Sequence, residues 1–167
     1  RCGDTISSLT GFISYASGVN KLQPVGSVIF ADTNPRPAAA PNVGGRIKVA
    51  GMNTLNYFLT LGSRGATSAA ELQRQQDKLV AEIIGLDADV VGFMEIENTG
   101  TAALDMLVTA VNTALGSAVY VRVPEPASTG SDLIRVAMMY RPTVVTPRPV
   151  SFTDSDSVWN RQPLAVV

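Results

Sequence analysis

The chain has 167 residues, 46% of them hydrophobic, and a formal net charge of −1 from 13 basic and 14 acidic side chains. This length and composition support one domain with a real core, or a domain plus part of another, and exclude a disordered chain. The charge balance excludes a global attraction to polyanions, so any nucleic-acid contact must be local, and no apolar run approaches the roughly 20 residues that cross a bilayer.

The chain holds one cysteine, Cys2, and no histidine. An internal disulfide, a self-contained Ser-His-Asp site, a histidine general base and a histidine-ligated zinc are therefore excluded. The sequence opens on Arg1, and Pro163-Leu-Ala-Val-Val167 reads as a strand cut short, so a fragment is expected.

Residues 4–30 carry short β-like runs. Phe12-Ile-Ser-Tyr15 leads into a hairpin turn at Ala16-Ser-Gly-Val-Asn20, and the pattern continues from Leu22 to Phe30. A hairpin and one more strand cannot bury a core, so residues 1–32 read as the tail of an upstream β-domain. Residues 33–45 form a Pro/Gly linker, and residues 46–167 a second, α+β domain.

In that domain Arg46 to Gly51 alternates as a strand ending at Met52-Asn53, and Ser63 to Ala66 is a loop. A capping box at Ser68 and Glu71 starts a helix that runs to about Gly85, with Leu72, Leu79, Val80, Ile83 and Ile84 on one face. A second helix spans Ala102 to Leu115 and stops at Gly116. Strands are expected at Val119 to Val123 and Ile134 to Tyr140, with another edge from Val144 onward. Apolar strands alternating with one-faced helices predict helices packed on a sheet.

The most informative stretch is Asp87 to Asn98. Val90-Val-Gly-Phe-Met94 is an unbroken apolar run of strand length, and Glu95, Glu97 and Asn98 follow where such a strand would leave the core. A carboxylate there is partly desolvated and needs a cation, a donor or a proton. The alternative is a loop acid capped by backbone N–H groups.

Met52-Asn-Thr-Leu-Asn-Tyr57, Phe93-Met-Glu95 and Ile134 to Pro142, in this order and spacing, resemble the endonuclease/exonuclease/phosphatase (DNase I-like) superfamily. The likeness is closer to secreted bacterial nucleases of that superfamily, in which an OB-like β-domain precedes the catalytic one. The resemblance implies the N-terminal half of an α/β/β/α sandwich, a secreted or periplasmic location, and a metal-dependent phosphodiesterase acting on DNA, with RNA also compatible. It implies Glu95 as the metal ligand for Mg²⁺ (Mn²⁺ or Ca²⁺ as alternatives) and Asn53 as its catalytic companion. Arg161, before a strand, corresponds to an arginine that contacts substrate phosphate. Asp132 and Arg135 would line the same cleft, where a plain surface ion pair is the alternative reading, and Glu125 lies where relatives orient a histidine. Asn56 reads as a local turn residue. Glu97 departs from the pattern, because some relatives place a basic residue there, and the family's catalytic histidines are absent. Two other functions stay open: a phosphatase or phospholipid phosphodiesterase of the same superfamily, or a non-catalytic surface-binding protein.

Overall fold

The computed structural model describes residues 2–35 and 37–167. The chain divides into two compact units, Arg1–Ala38 and Ala39–Val167. The first holds a hairpin of β1 (Gly11–Ala16) and β2 (Val19–Pro24). Ser17 and Gly18 turn the chain with φ of 54° and 77°, the left-handed pair that a two-residue hairpin loop requires. At Gly11 a side chain could not fit, since a Cβ would stand 2.3 Å from the Gln23 carbonyl oxygen. The expected strand through Phe30 is not formed. The ladder closes at Pro24, Gly26 turns away with φ of 84°, and beyond it, among the described residues, only Thr5 and Ala31 form a bridge. Phe12, Ile13 and Tyr15 are all exposed, and among its described residues this unit has no apolar core of its own.

The second unit is α+β. Its sheet has the order β3-β4-β6-β5, with β3 (Val49–Tyr57) parallel to β4 (Val90–Glu97) and both β4–β6 and β6–β5 antiparallel. β6 is Ile134–Tyr140, as expected, while β5 shrinks to Val121–Arg122 because the N–H groups of Val119 and Tyr120 donate to the Asn112 side chain instead of a strand. β3 starts later than its alternation suggests. The N–H of Lys48 is already taken by the Asp89 carboxylate at 2.8 Å, so the ladder begins one residue on. From Val144 the chain makes a turn on the Arg141 carbonyl rather than an edge strand, and farther on Phe152 and Ala165 form an isolated β-bridge.

α1 (Ala69–Leu86) and α2 (Ala102–Leu115) cover one face of the sheet. Ser68 caps α1 by accepting from the Glu71 N–H, while the Glu71 carboxylate reaches back to Thr67 instead of Ser68, a capping box displaced by one residue. Leu79 and Ile83 of α1 and Leu104, Leu107 and Val111 of α2 interlock with Val91, Phe93, Ile96, Ala137 and Met139 of the sheet. The other face is more open, with Val49 73% and Met94 42% exposed. Residues 145–147 and the last two valines shelter only its far end, around an apolar hollow of about 160 Å³.

Candidate functional site

Glu95 occupies an irregularity in both of its ladders. Against β3 the register runs Asn53↔Met94 and resumes at Tyr57↔Ile96, so residues 54–56 face Glu95 alone. Against β6 it runs Phe93↔Ala137 and resumes at Ile96↔Arg135. Regular alternation would turn Glu95 into the helix-covered core beside Phe93. The bulge lets Phe93 and Ile96 both face that core, at 1% and 0% exposure, and releases the carboxylate from it.

The backbone records the strain of this arrangement. Leu55, Asn56 and Glu95 have φ of 56°, 53° and 65°, a region non-glycine residues enter at a cost of about 1–3 kcal/mol each. Neighbouring groups hold it in place. The Thr54 hydroxyl donates to the carbonyls of Met94 (2.9 Å) and Glu95 (3.1 Å), and Gln75 of α1 donates its amide to the carbonyls of Thr54 (2.8 Å) and Leu55 (3.0 Å). Neither Thr54 nor Gln75 was singled out by the sequence. Gln75 looks like any polar residue of an amphipathic helix, and only its tertiary contact reveals its role.

Asn53 and Glu95 meet within this frame. Asn53 Nδ2 donates to Glu95 Oε1 at 2.8 Å, and the Asn56 N–H donates to Oε2 at 3.1 Å. Asn53 Oδ1 accepts the Leu55 N–H at 2.8 Å, so both ends of the amide are fixed and its donor can face only the carboxylate. Each oxygen of Glu95 thus takes one protein donor and keeps lone pairs for another ligand. Asn56 does make the local turn, and its N–H also reaches the site. Its Oδ1 is buried with no hydrogen-bond partner among the described residues.

These groups suit a hydrated hard cation. Among the described residues no three Asp, Glu, His or Cys side chains stand together as a metal cage. Mg²⁺ needs no cage, because it keeps several waters and takes one or two carboxylates together with substrate phosphate. Glu95 would be that carboxylate, and Asn53 would fix its orientation.

The remaining sequence candidates separate. Arg135 is 1% exposed, which corrects the expectation that it lines an open cleft. Its guanidinium forks onto Glu125 and donates to the Gly100 carbonyl at 2.9 Å, tying β6 and the loop that precedes it to the start of α2. Glu97 is buried too, and its carboxylate accepts the N–H groups of Leu59 (2.8 Å) and Thr60 (3.3 Å), anchoring the loop after β3. Asp132 and Arg161 do meet, 3.6 Å apart, at the end of the sheet where β3 and β4 terminate and β6 begins. Arg64 joins them, 3.3 Å from the same carboxylate.

No family model and no curated protein matches this chain. Its class therefore rests on the fold and site alone: an α+β unit with an amide-held carboxylate at the carboxyl ends of two parallel strands, where open α/β sheets bind ligands. Among the described residues, no helix is long and apolar enough to cross a membrane.

Proposed function

We propose that these residues contribute the metal-binding half of a phosphodiesterase of the DNase I-like type, acting on nucleic acid and on DNA first. The observation that supports this most is the Asn53–Glu95 hydrogen bond inside a strained double bulge. A merely structural surface acid has no need of three left-handed non-glycine residues to place it. When bound, Mg²⁺ would neutralise the substrate phosphate and stabilise the charge that develops on it. The protein's part is to present Glu95 in one orientation, through Asn53 and the Asn56 N–H, toward the open end of the sheet.

The chain has no histidine, so the histidine base that the resemblance implies is not among these residues. These 167 residues are accordingly expected to be catalytically silent by themselves and to hold Mg²⁺ loosely. A longer protein containing them should nick plasmid DNA only with Mg²⁺ or Mn²⁺. In it Glu95→Gln should nearly abolish cleavage, and Asn53→Ala should cost about 10–100-fold, the usual loss when a ligand's orienting partner is removed. Strong cleavage by the 167-residue chain, or chelator-resistant cleavage by the longer protein, would sink the proposal.

A further inference from the structure

The hairpin of β1 and β2 has two outer edges, and they are not alike. The Val25 N–H donates to the Thr10 carbonyl at 2.9 Å, just beyond the Gly11↔Pro24 pair, so that pair is a non-hydrogen-bonded one of the ladder. By alternation Ile13↔Leu22 and Tyr15↔Asn20 are non-hydrogen-bonded too. The N–H and C=O groups of Gly11, Ile13 and Tyr15 therefore point away from β2, and the main-chain groups of Asn20, Leu22 and Pro24 point away from β1. Among the described residues, none of these outward groups of β1 has a hydrogen-bond partner. Proteins commonly blunt such an edge with lysine or proline. β2 carries both, in Lys21 and in Pro24, which has no N–H to lend. β1 carries neither, and no charged residue at all.

The same alternation puts Ile13, Tyr15 and Leu22 on one face of the hairpin, where they stand 68%, 73% and 46% exposed. The opposite face carries Phe12, Ser14, Lys21 and Gln23, and there the Gln23 amide donates to the Ser14 hydroxyl at 3.2 Å. A two-stranded hairpin is marginal in water until further strands complete an apolar face. A second copy of β1 supplies them without a clash. Antiparallel pairing centred on Ile13 sets Ile13 against Ile13 of the second copy, and Gly11 against Tyr15 in both directions. Every outward N–H and C=O of β1 then has a partner. Leu22 and Ile13 of each copy fall in one row across both hairpins. Each Tyr15 ring lies over Gly11 of the other copy, beside its Pro24, and so covers a glycine that its own hairpin leaves no room to replace. No like charges oppose each other across the pair.

We propose that β1 is a homodimerisation edge. Two copies of this chain join by antiparallel β1–β1 pairing about a two-fold axis at Ile13, and their hairpins form one continuous sheet with Ile13, Tyr15 and Leu22 of both copies on one face. A single strand pair lies at the small end of specific interfaces, so the association is weak and depends on concentration. The pairing needs nothing from the phosphodiesterase reading, whose residues all lie in the other unit.

The experiment is sedimentation velocity of the 167-residue chain from about 10 μM to about 1 mM, with amide hydrogen exchange read residue by residue by NMR. A monomer–dimer equilibrium is expected. The amides of Gly11, Ile13 and Tyr15 should slow as the dimer fills, while those of Asn20 and Leu22 stay fast. In a mixture of labelled and unlabelled chains, the Tyr15 ring should show cross-relaxation to the Gly11 α-protons of the other copy. Ile13→Lys sets two like charges face to face on the axis and should leave only monomer over the same range. Asn20→Lys puts the same charge on the other edge and should leave the equilibrium unchanged. If Ile13→Lys unfolds the hairpin, Ile13→Pro carries the test, because the nitrogen it blocks faces outward and the hairpin ladder loses no bond. A chain that stays monomeric overturns the proposal. So does a dimer whose β1 amides still exchange fast, one that survives Ile13→Lys, or one that Asn20→Lys breaks as fully.

Discussion

At the scale of single residues, charge partners are divided between the two ends of the sheet. At one end Asn53 orients Glu95, and at the other Asp87 serves as a structural counterpart. Asp87 caps α1 with φ of 47°, and its carboxylate receives both Lys48 and Arg141. The hydrogen bond from Lys48, then that from Arg141, holds its pKa below the ordinary carboxylate range. A folded-state pKa below the unfolded one means stabilisation that is complete above the unfolded value near 3.9 and is lost as pH falls through the folded value. Asparagine accepts the left-handed backbone, so Asp87→Asn removes little beyond the charge. At pH 7 this variant should melt lower by no more than a few degrees, as expected of an exposed pair worth up to about 1 kcal/mol. The gap should narrow as pH falls below the unfolded value near 3.9 and through the lower folded one. An equal gap at pH 7 and pH 2.5 would show that the charge is not what the substitution removes.

At the scale of elements, the site depends on α1 as much as on the strands. The amide of Gln75 bridges two carbonyls of the strained turn after Asn53, and these two hydrogen bonds are the only ones that α1 sends to it among the described residues. Gln75→Ala leaves those carbonyls without their shared donor and should destabilise the unit by about 1–2 kcal/mol. Its further effect should fall on catalysis in the longer protein, lowering kcat more than it raises KM, because the turn presents Glu95 rather than touching substrate. Gln75→Glu keeps the length and loses the donor, so it should behave like the alanine variant. Full activity in both would detach the helix from the site. The helices themselves were legible in the sequence, since their apolar residues recur at helical spacing and Ser68, Glu71 and Gly116 mark their ends. The double bulge was not legible, because Val90 to Met94 reads as a plain strand and nothing in Glu95-Ile-Glu97 announces a left-handed residue.

At the scale of the whole molecule, the sequence places a linker at residues 33–45, and the two compact units divide inside it, between Ala38 and Ala39. The second unit carries the apolar core, whereas the hairpin unit leaves Phe12, Ile13 and Tyr15 in water. Limited proteolysis should therefore cut first within residues 33–45 and leave a protected fragment that retains the main thermal transition. Protection of the linker, or loss of the transition once it is cut, would show that the hairpin unit contributes to the stability of the core.

The sequence by itself determined the α+β class, both helices and the strand at Ile134 to Tyr140, because each rests on a local periodicity and on end signals carried by neighbouring residues. It also marked Glu95 as a candidate, since a carboxylate at the end of an apolar strand stands out without coordinates, whereas Asn53 was singled out only by the family resemblance. Tertiary structure alone decided what the other polar side chains do. Arg135 and Arg161 are both arginines beside strands, yet one is sealed against Glu125 and the other stays open on Asp132. Gln75 reaches the strained turn, and Arg64 reaches Asp132, from segments whose local sequence has no special feature. The physical reason is that burial and pairing of a charged group depend on which distant segment arrives beside it, and no local periodicity encodes that arrival.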